Sequence, residues 1–336
     1  MSLLFSFHKT LKNMGDVAVH YLDTLELTSY KPENKGIQEG VSPDKLQKRA
    51  RSKYVTRAVV KRLVEVEDSP LNKNYWDTWH CSNVVYQEGK RLKASYCNNR
   101  WCIVCNRIRT ANLINGYLPQ LSKLQDPYFV TLTIPNMKAV DLEDTIKKMY
   151  VEIKKIQTLF RNRRSMKLTG IRKMECTYND LRNDFHPHYH FIIDGKKVAL
   201  TLINEWLNRF PGSKIEAQDM KQAGEGTVLE LFKYFTKLLS KDRTVNGKAL
   251  DTIFRAMRGK RVFQSMGLKK EVPEDIEGIR TEIYEGIDEV NERFWRWDQS
   301  ANDWIDPETG ETLTRYKPSE NIRKLVDRIT GGLPGG

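Results

Sequence analysis

Long apolar runs are missing from this chain of 336 residues, and none approaches the roughly 20 residues of a membrane-spanning helix. The opening MSLLFSFHKT is apolar but brief. Without a basic leading region or a small-residue cleavage site, it does not read as a secretory signal. Cysteine is scarce and odd in number, five in all, which argues against a secreted disulfide framework. A reducing, cytoplasmic location is the expectation. No segment repeats at a fixed period, so a solenoid is excluded. Histidine is rarer than chance would give, with six residues, and three of those fall within five positions.

Charge is plentiful and uneven. The net charge is +13, yet residues 271–336 hold 16 acidic and 8 basic residues, net −8, which leaves +21 on residues 1–270. A body this basic suits a polyanion, nucleic acid foremost. The chain divides accordingly. Residues 1–75 form a basic arm and helix, residues 76–126 a cysteine-bearing module, residues 127–270 a mixed α/β body, and residues 271–336 an acidic region.

The histidines open the argument about chemistry. Phe185-His186-Pro187-His188-Tyr189-His190-Phe191-Ile192-Ile193-Asp194 is aromatic and β-branched, as a buried strand should be. Alternation on a strand puts His188 and His190 on one face and turns Tyr189 the other way. Two neutral imidazoles side by side make half of a divalent-metal site. Pro187 lacks an N–H, so ladder pairing is expected only after it. Gly170–Tyr178 reads as the preceding strand, with a polar turn over Asn179–Asp184. If the turn centres between Leu181 and Arg182, Glu175 falls opposite His188 and supplies a third ligand; His186 is the alternative.

The cysteines open a second site. Cys97, Cys102 and Cys105 follow a C-x4-C-x2-C spacing, with Cys81 sixteen residues earlier and His80 beside it. Zinc takes four ligands in a tetrahedron, and these three cysteines with Cys81 or His80 complete one.

The remaining pattern is helical or turn-like. Tyr128–Ile134 predicts a strand. Residues 141–164 predict an amphipathic helix burying Leu142, Ile146, Met149, Ile153, Ile156 and Phe160. Residues 199–210 predict another helix, and Ser213–Gln218 a short strand. Val228–Lys241 has helical spacing, with Glu230 and Tyr234 one turn apart on one face and Lys237 a turn beyond Tyr234. Trp295, Trp297 and Trp304 predict an aromatic hairpin with its turn at Pro307–Gly310, followed by a helix near Asn321–Ile329.

In this order the pieces resemble the HUH endonucleases, most closely the rolling-circle replication initiators of small plasmids, the Rep_1-type family. The resemblance runs through Cys97-Asn-Asn-Arg100-Trp-Cys102-Ile-Val-Cys105, Phe129-Val-Thr-Leu-Thr133, His188-Tyr189-His190 and Glu230-x-x-x-Tyr234-x-x-Lys237, and covers roughly residues 81–270. It implies an α+β fold, a central antiparallel sheet of the HUH type with flanking helices, to which the cysteine spacing adds a small zinc-binding insertion and the change of charge a separate acidic C-terminal region. It implies Mn²⁺ or Mg²⁺ on His188, His190 and a third ligand, and a structural Zn²⁺ on the cysteines. Tyr234 is then the nucleophile that joins the 5′-phosphate of single-stranded origin DNA, freeing a 3′-OH primer. Lys237 assists it, and Glu230 activates water for the final cleavage, with Glu225 a weaker alternative. Host helicase and polymerase are the implied partners. An HUH transposase or relaxase would use the same residues. A non-enzymatic, zinc-stabilised DNA-binding regulator would use the histidines as a second structural site.

Overall fold

A computed structural model describes residues 43–88, 91–163, 166–224, 231, 245–270, 282–283 and 293–331. The expected N-terminal arm, and Glu225, Glu230, Tyr234 and Lys237, lie outside the described residues.

In chain order the elements begin with α1 (Pro43–Val64), α2 (Asn72–Trp79), β1 (Val84–Glu88), β2 (Arg91–Ala94) and α3 (Ile103–Leu121). Then come β3 (Pro127–Thr133), α4 (Ala139–Arg163), β4 (Gly170–Asn179), β5 (Asp184–Asp194), α5 (Lys196–Arg209) and β6 (Asp219–Gln222). The chain continues with α6 (Gly247–Ala256), β7 (Phe263–Met266), β8 (Glu282–Ile283), β9 (Phe294–Asp298), β10 (Asp303–Ile305) and α7 (Glu320–Thr330). No described helix is long and apolar enough to cross a membrane.

Two compact units divide these elements. As far as they are described, one draws on residues 113–238 and 248–272, the other on residues 18–112, 239–247 and 273–336.

The first unit is built on an antiparallel sheet of order β6-β3-β5-β4-β7, which puts the histidine strand β5 at its centre. The β4–β5 register pairs Asn179 with Asp184, so the loop centres between Leu181 and Arg182. Arg182 N–H donates to Asn179 Oδ1 at 3.1 Å, and Asn183 takes φ +48°, a conformation asparagine tolerates. Gly170 starts β4 at φ +153°, and a Cβ there would stand 1.9 Å from Ile192 O, so the close approach of the two strands requires glycine. The ladder does not wait for Pro187: on the β4 side it runs through Cys176–Pro187 to Asp184, whereas on the β3 side it ends at His188. The proline costs pairing on one side only.

Helices α4 and α5 cover the sheet face that carries Tyr189. Leu142, Ile146, Met149, Ile153, Ile156 and Phe160 of α4 are all fully buried, as their spacing predicts. Tyr189 meets Tyr150 of α4 and Trp206 of α5 edge-on, at 5.9 Å each. Arg172 is buried on this side with its guanidinium over both Tyr150 and Tyr189, and it donates to Gln264 Oε1 at 2.6 Å. The histidine face is left on the other side. The strand expected at Ser213–Gln218 is instead a 3-10 turn at Ile215–Ala217 followed by β6. Gln218 is why: its Oε1 accepts from Thr133 N–H at 2.8 Å and its Nε2 donates to Lys214 O at 2.8 Å, which plugs the end of β3 and coils the chain before it.

The second unit holds a sheet of order β10-β9-β1-β2-β8. Val85, Leu92, Trp295 and Trp304 line one face and pack on Leu46 and Ala50 of α1. The acidic C-terminal region therefore does not stand apart: β9 pairs with β1, and α7 packs on α1. The aromatic hairpin forms, but its turn precedes Trp304. Asp298 Oδ1 accepts from Ala301 N–H at 2.8 Å, and Asn302 takes φ +54°. The Pro307–Gly310 turn comes after β10 and folds the chain back so that Ile305 bridges Thr312.

Candidate metal centres

Strand geometry assembles the first centre. In the sheet register Glu175 is the direct partner of His188, Lys173 that of His190, Thr133 that of His188 and Thr131 that of His190. Period-two alternation puts all six on one face. Glu175 Oε2 lies 3.4 Å from His188 Nε2 and 3.4 Å from His190 Nε2. One ligand atom from each of the three residues lies within 4.8 Å of the others.

The outer nitrogens of both rings are occupied. His188 Nδ1–H donates to the His186 carbonyl at 3.0 Å, since a carbonyl can only accept, and this leaves Nε2 as the atom turned toward Glu175. His190 Nδ1 is 3.0 Å from Thr131 Oγ1, and its ring stacks on Phe129 with centroids 5.3 Å apart. Such partners hold a metal-ligating imidazole in orientation. Lys173 forms a buried ion pair with Glu175. Burial pushes the Glu175 carboxyl up, but Lys173, His188 and His190 together hold it well below the usual carboxylate range. The carboxylate is thus ionised and the donor set is two imidazoles and one anion, which suits a divalent cation.

His186 is outside this cluster. Its ring stacks on that of His188 at 5.2 Å, and its Nδ1 lies 2.9 Å from Asn136 Oδ1. Burial and His188 lower its pKa to about 4. Its carbonyl, rather than its ring, serves the centre. Thr131, Lys173 and Asn136 were not singled out in the sequence. Strand alternation relative to the histidines would have found the first two once the register was known.

The second centre forms where the 80–83 turn meets the N-terminus of α3. Sγ atoms of Cys81, Cys97, Cys102 and Cys105 lie within 4.8 Å of one another. Cys81–Cys105 is 3.5 Å, Cys102–Cys81 3.6 Å and Cys97–Cys105 3.7 Å. Zinc–sulfur bonds of about 2.3 Å in a tetrahedron place sulfurs about 3.8 Å apart, so the set is sized for that ion. Backbone N–H groups of Asn99 and Cys105 point at Cys97 and Cys102 Sγ, both at 3.4 Å. Hydrogen bonds from Cys102, Cys105 and Cys81 hold the Cys97 thiol well below the ordinary range, while burial pushes Cys102 up. His80 turns away from the cluster, with Nδ1 3.1 Å from Asn83 Nδ2. Lys53 of α1 braces the knot from behind, donating to the Cys81 carbonyl, to Asn83 Oδ1 and to Trp79 O. Burial brings its pKa down to about 7, against the opposing pull of Cys81.

Known proteins bear on both centres. Residues 88–198 match the family described as Replication protein (Rep_1), a span containing Cys97, Cys102, Cys105, Glu175, His188 and His190. A Staphylococcus aureus protein named "Protein rep" is 29% identical over 170 residues, covering 45% of this chain and 73% of its own length. A second "Protein rep", from Streptococcus pneumoniae serotype 2 strain D39, is 25% identical over 209 residues, covering 54% of this chain and 63% of that protein. No solved structure matches. With the family match spanning Cys97, Cys102, Cys105 and the Glu-His-His triad, the chain is similar to the Rep_1 replication proteins and resembles the rolling-circle plasmid initiators.

Proposed function

We propose that the chain nicks single-stranded origin DNA through a covalent tyrosine intermediate and so starts rolling-circle replication of a plasmid. The observation that carries this reading is the Glu175–His188–His190 triad, three donors fixed in orientation on one sheet face. Mn²⁺ or Mg²⁺ held there supplies Lewis-acid polarisation of a scissile phosphate.

The protein's own part follows. Tyr234, placed from the sequence alone, gives up its proton to solvent and attacks phosphorus with the resulting phenolate oxygen. The new bond joins that oxygen to the 5′-phosphate. The bond to the 3′-oxygen breaks, and that oxygen takes a proton to become the 3′-OH from which a host polymerase, with a host helicase, extends. Lys237, three residues later in the sequence, favours the phenolate. Glu230, four residues earlier, receives the proton of an attacking water when the cycle ends by hydrolysis. Cys81, Cys97, Cys102 and Cys105 hold Zn²⁺ in a closed four-thiolate site with a structural role.

The test is incubation with a single-stranded oligonucleotide library and Mn²⁺, followed by mapping of the adduct. A 5′-phosphate on Tyr234, lost in Tyr234→Phe, supports the reading. DNA binding with no metal-dependent cleavage would leave the chain a DNA-binding regulator, and a covalent adduct on transposon ends or a transfer origin would favour the transposase or relaxase.

A further inference from the structure

The β9-β1-β2 sheet of the second unit has one face buried on α1 and the other turned outward. Tyr86 and Phe294 are direct cross-strand partners on the outward face, and each keeps over a third of its surface exposed, 43% and 37%. An exposed aromatic pair is unusual on a face with no core to join. Val84, two residues before Tyr86, is exposed beside them. Cations frame the aromatics. Lys93 is the register partner of Tyr86 on β2, Arg296 is that of Val84 on β9, and the Arg296 guanidinium stands 5.6 Å from the Phe294 ring centroid.

Tyr86 and Lys93 also form one wall of a cavity of about 390 Å³. Tyr96, Asn98, Cys105, Arg109 and Asn112 also line it, and among the described residues no carboxylate does. Arg109 is fixed by bonds to Asn106 Oδ1 at 2.6 Å and the Asn98 carbonyl at 2.8 Å. The volume falls within the roughly 300–1,000 Å³ typical of small-ligand pockets.

We propose that this face and its adjoining pocket bind unpaired DNA, with bases stacked on Tyr86 and Phe294, phosphates against Lys93, Arg296 and Arg109, and one nucleotide seated in the pocket. Flat aromatic rings alternating with cations are what single strands need, since every base offers a π-face and every linkage a negative charge. Val84 and the rings alone would suit a protein partner, but Lys93, Arg296 and Arg109 beside them favour a polyanion. The proposal rests on the reading of the chain as a DNA-acting protein, but it does not need the nicking chemistry.

The experiment measures anisotropy of a fluorescein-labelled mixed-sequence 20-mer against the full chain carrying His188→Ala, which removes cleavage from the readout. Tyr86→Ala/Phe294→Ala in that background should weaken single-strand binding by at least about 30-fold, by the worth of two base–aromatic stacks. Tyr86→Phe keeps the ring and should stay within about twofold. Unchanged thermal unfolding of the double variant shows that the exposed rings are not needed for folding. Wild-type affinity in the double variant overturns the platform. So does an equal loss for single-stranded and duplex forms of the oligonucleotide, which would mark a charge surface only. If the unmodified chain never forms an adduct but the double variant loses single-strand binding, the nicking reading falls and this one stands.

Discussion

Glu175 and His188 are direct partners in the β4–β5 ladder, and Glu175 Oε2 sits 3.4 Å from the His188 Nε2. The pairing makes the carboxylate a fixed member of the centre. Alanine at His188 or His190 should abolish cleavage while leaving DNA binding largely intact, because the change is confined to one sheet face. Nicking and gel-shift assays on the same preparations check it. Binding lost in parallel with cleavage would show that the triad holds DNA rather than reacting with it.

Glu175 itself should behave differently. It is the ion-pair partner of Lys173, whose side chain is only 2% exposed. Glu175→Ala would remove a counter-charge from that buried ammonium and should destabilise the first unit by about 3–5 kcal/mol, the usual cost of breaking a buried pair. Pairing it with Lys173→Met should recover much of the stability without recovering cleavage. Thermal unfolding of the two variants separates the carboxylate's structural role from its chemical one.

The register that joins Glu175 to His188 followed from centring the polar turn between Leu181 and Arg182, and a slip of one residue would have turned Glu175 to the other face. The buried stripe of α4 was equally legible, because 3.6-residue periodicity is local. What the sequence hid was long-range. Nothing local in Trp295 or Trp297 says that their strand will pair with Val84–Tyr86, about 210 residues earlier by the numbering. Nor does the acidic composition of residues 271–336 reveal that Trp304 will be buried against α1. The turn before Trp304 was missed because Asp298 accepts the backbone bond there, a role hidden by the more obvious Pro307–Gly310.

Truncation before residue 293 should consequently do more than remove acidic charge. It would strip β9 and β10 from the sheet and uncover Val85 and Leu92. We expect a truncated chain with a lowered unfolding temperature or an insoluble product, seen by calorimetry. Salt-dependent DNA binding by a well-folded truncated chain would contradict this.

Gly170→Ala should cost at least about 3 kcal/mol, since it combines a positive φ with a Cβ driven into the neighbouring strand's backbone. Urea denaturation is the measure. A cost below about 1 kcal/mol would mean that β4 and β5 are not so closely apposed at that end.

The cysteine centre predicts about one equivalent of zinc in purified protein, by the closed-site logic of four thiolates. Cys102→Ser should lower the unfolding temperature, and so should extraction of the metal by a strong chelator. His80→Ala should change neither, because His80 faces Asn83 rather than the sulfurs. Full zinc content in Cys81→Ser with loss in His80→Ala would reverse the assignment.

Thr131 offers the finest test of the first centre. Its Oγ1 lies 3.0 Å from His190 Nδ1 and fixes that ring from behind. Thr131→Val keeps the shape of the side chain and its place in β3 while deleting the hydroxyl. His190 would then keep its stack on Phe129 but lose the Thr131 hydroxyl behind Nδ1. Loss of an outer partner of this kind typically weakens metal affinity about 10–100-fold. The Mn²⁺ concentration for half-maximal nicking should rise by that factor, while the rate at saturating Mn²⁺ falls much less. Thr131→Ser should restore the wild-type requirement. An unchanged Mn²⁺ dependence in Thr131→Val would mean that Phe129 and the strand alone orient His190, and an equal fall in rate at all Mn²⁺ concentrations would mean that Thr131 acts on the substrate rather than through the imidazole.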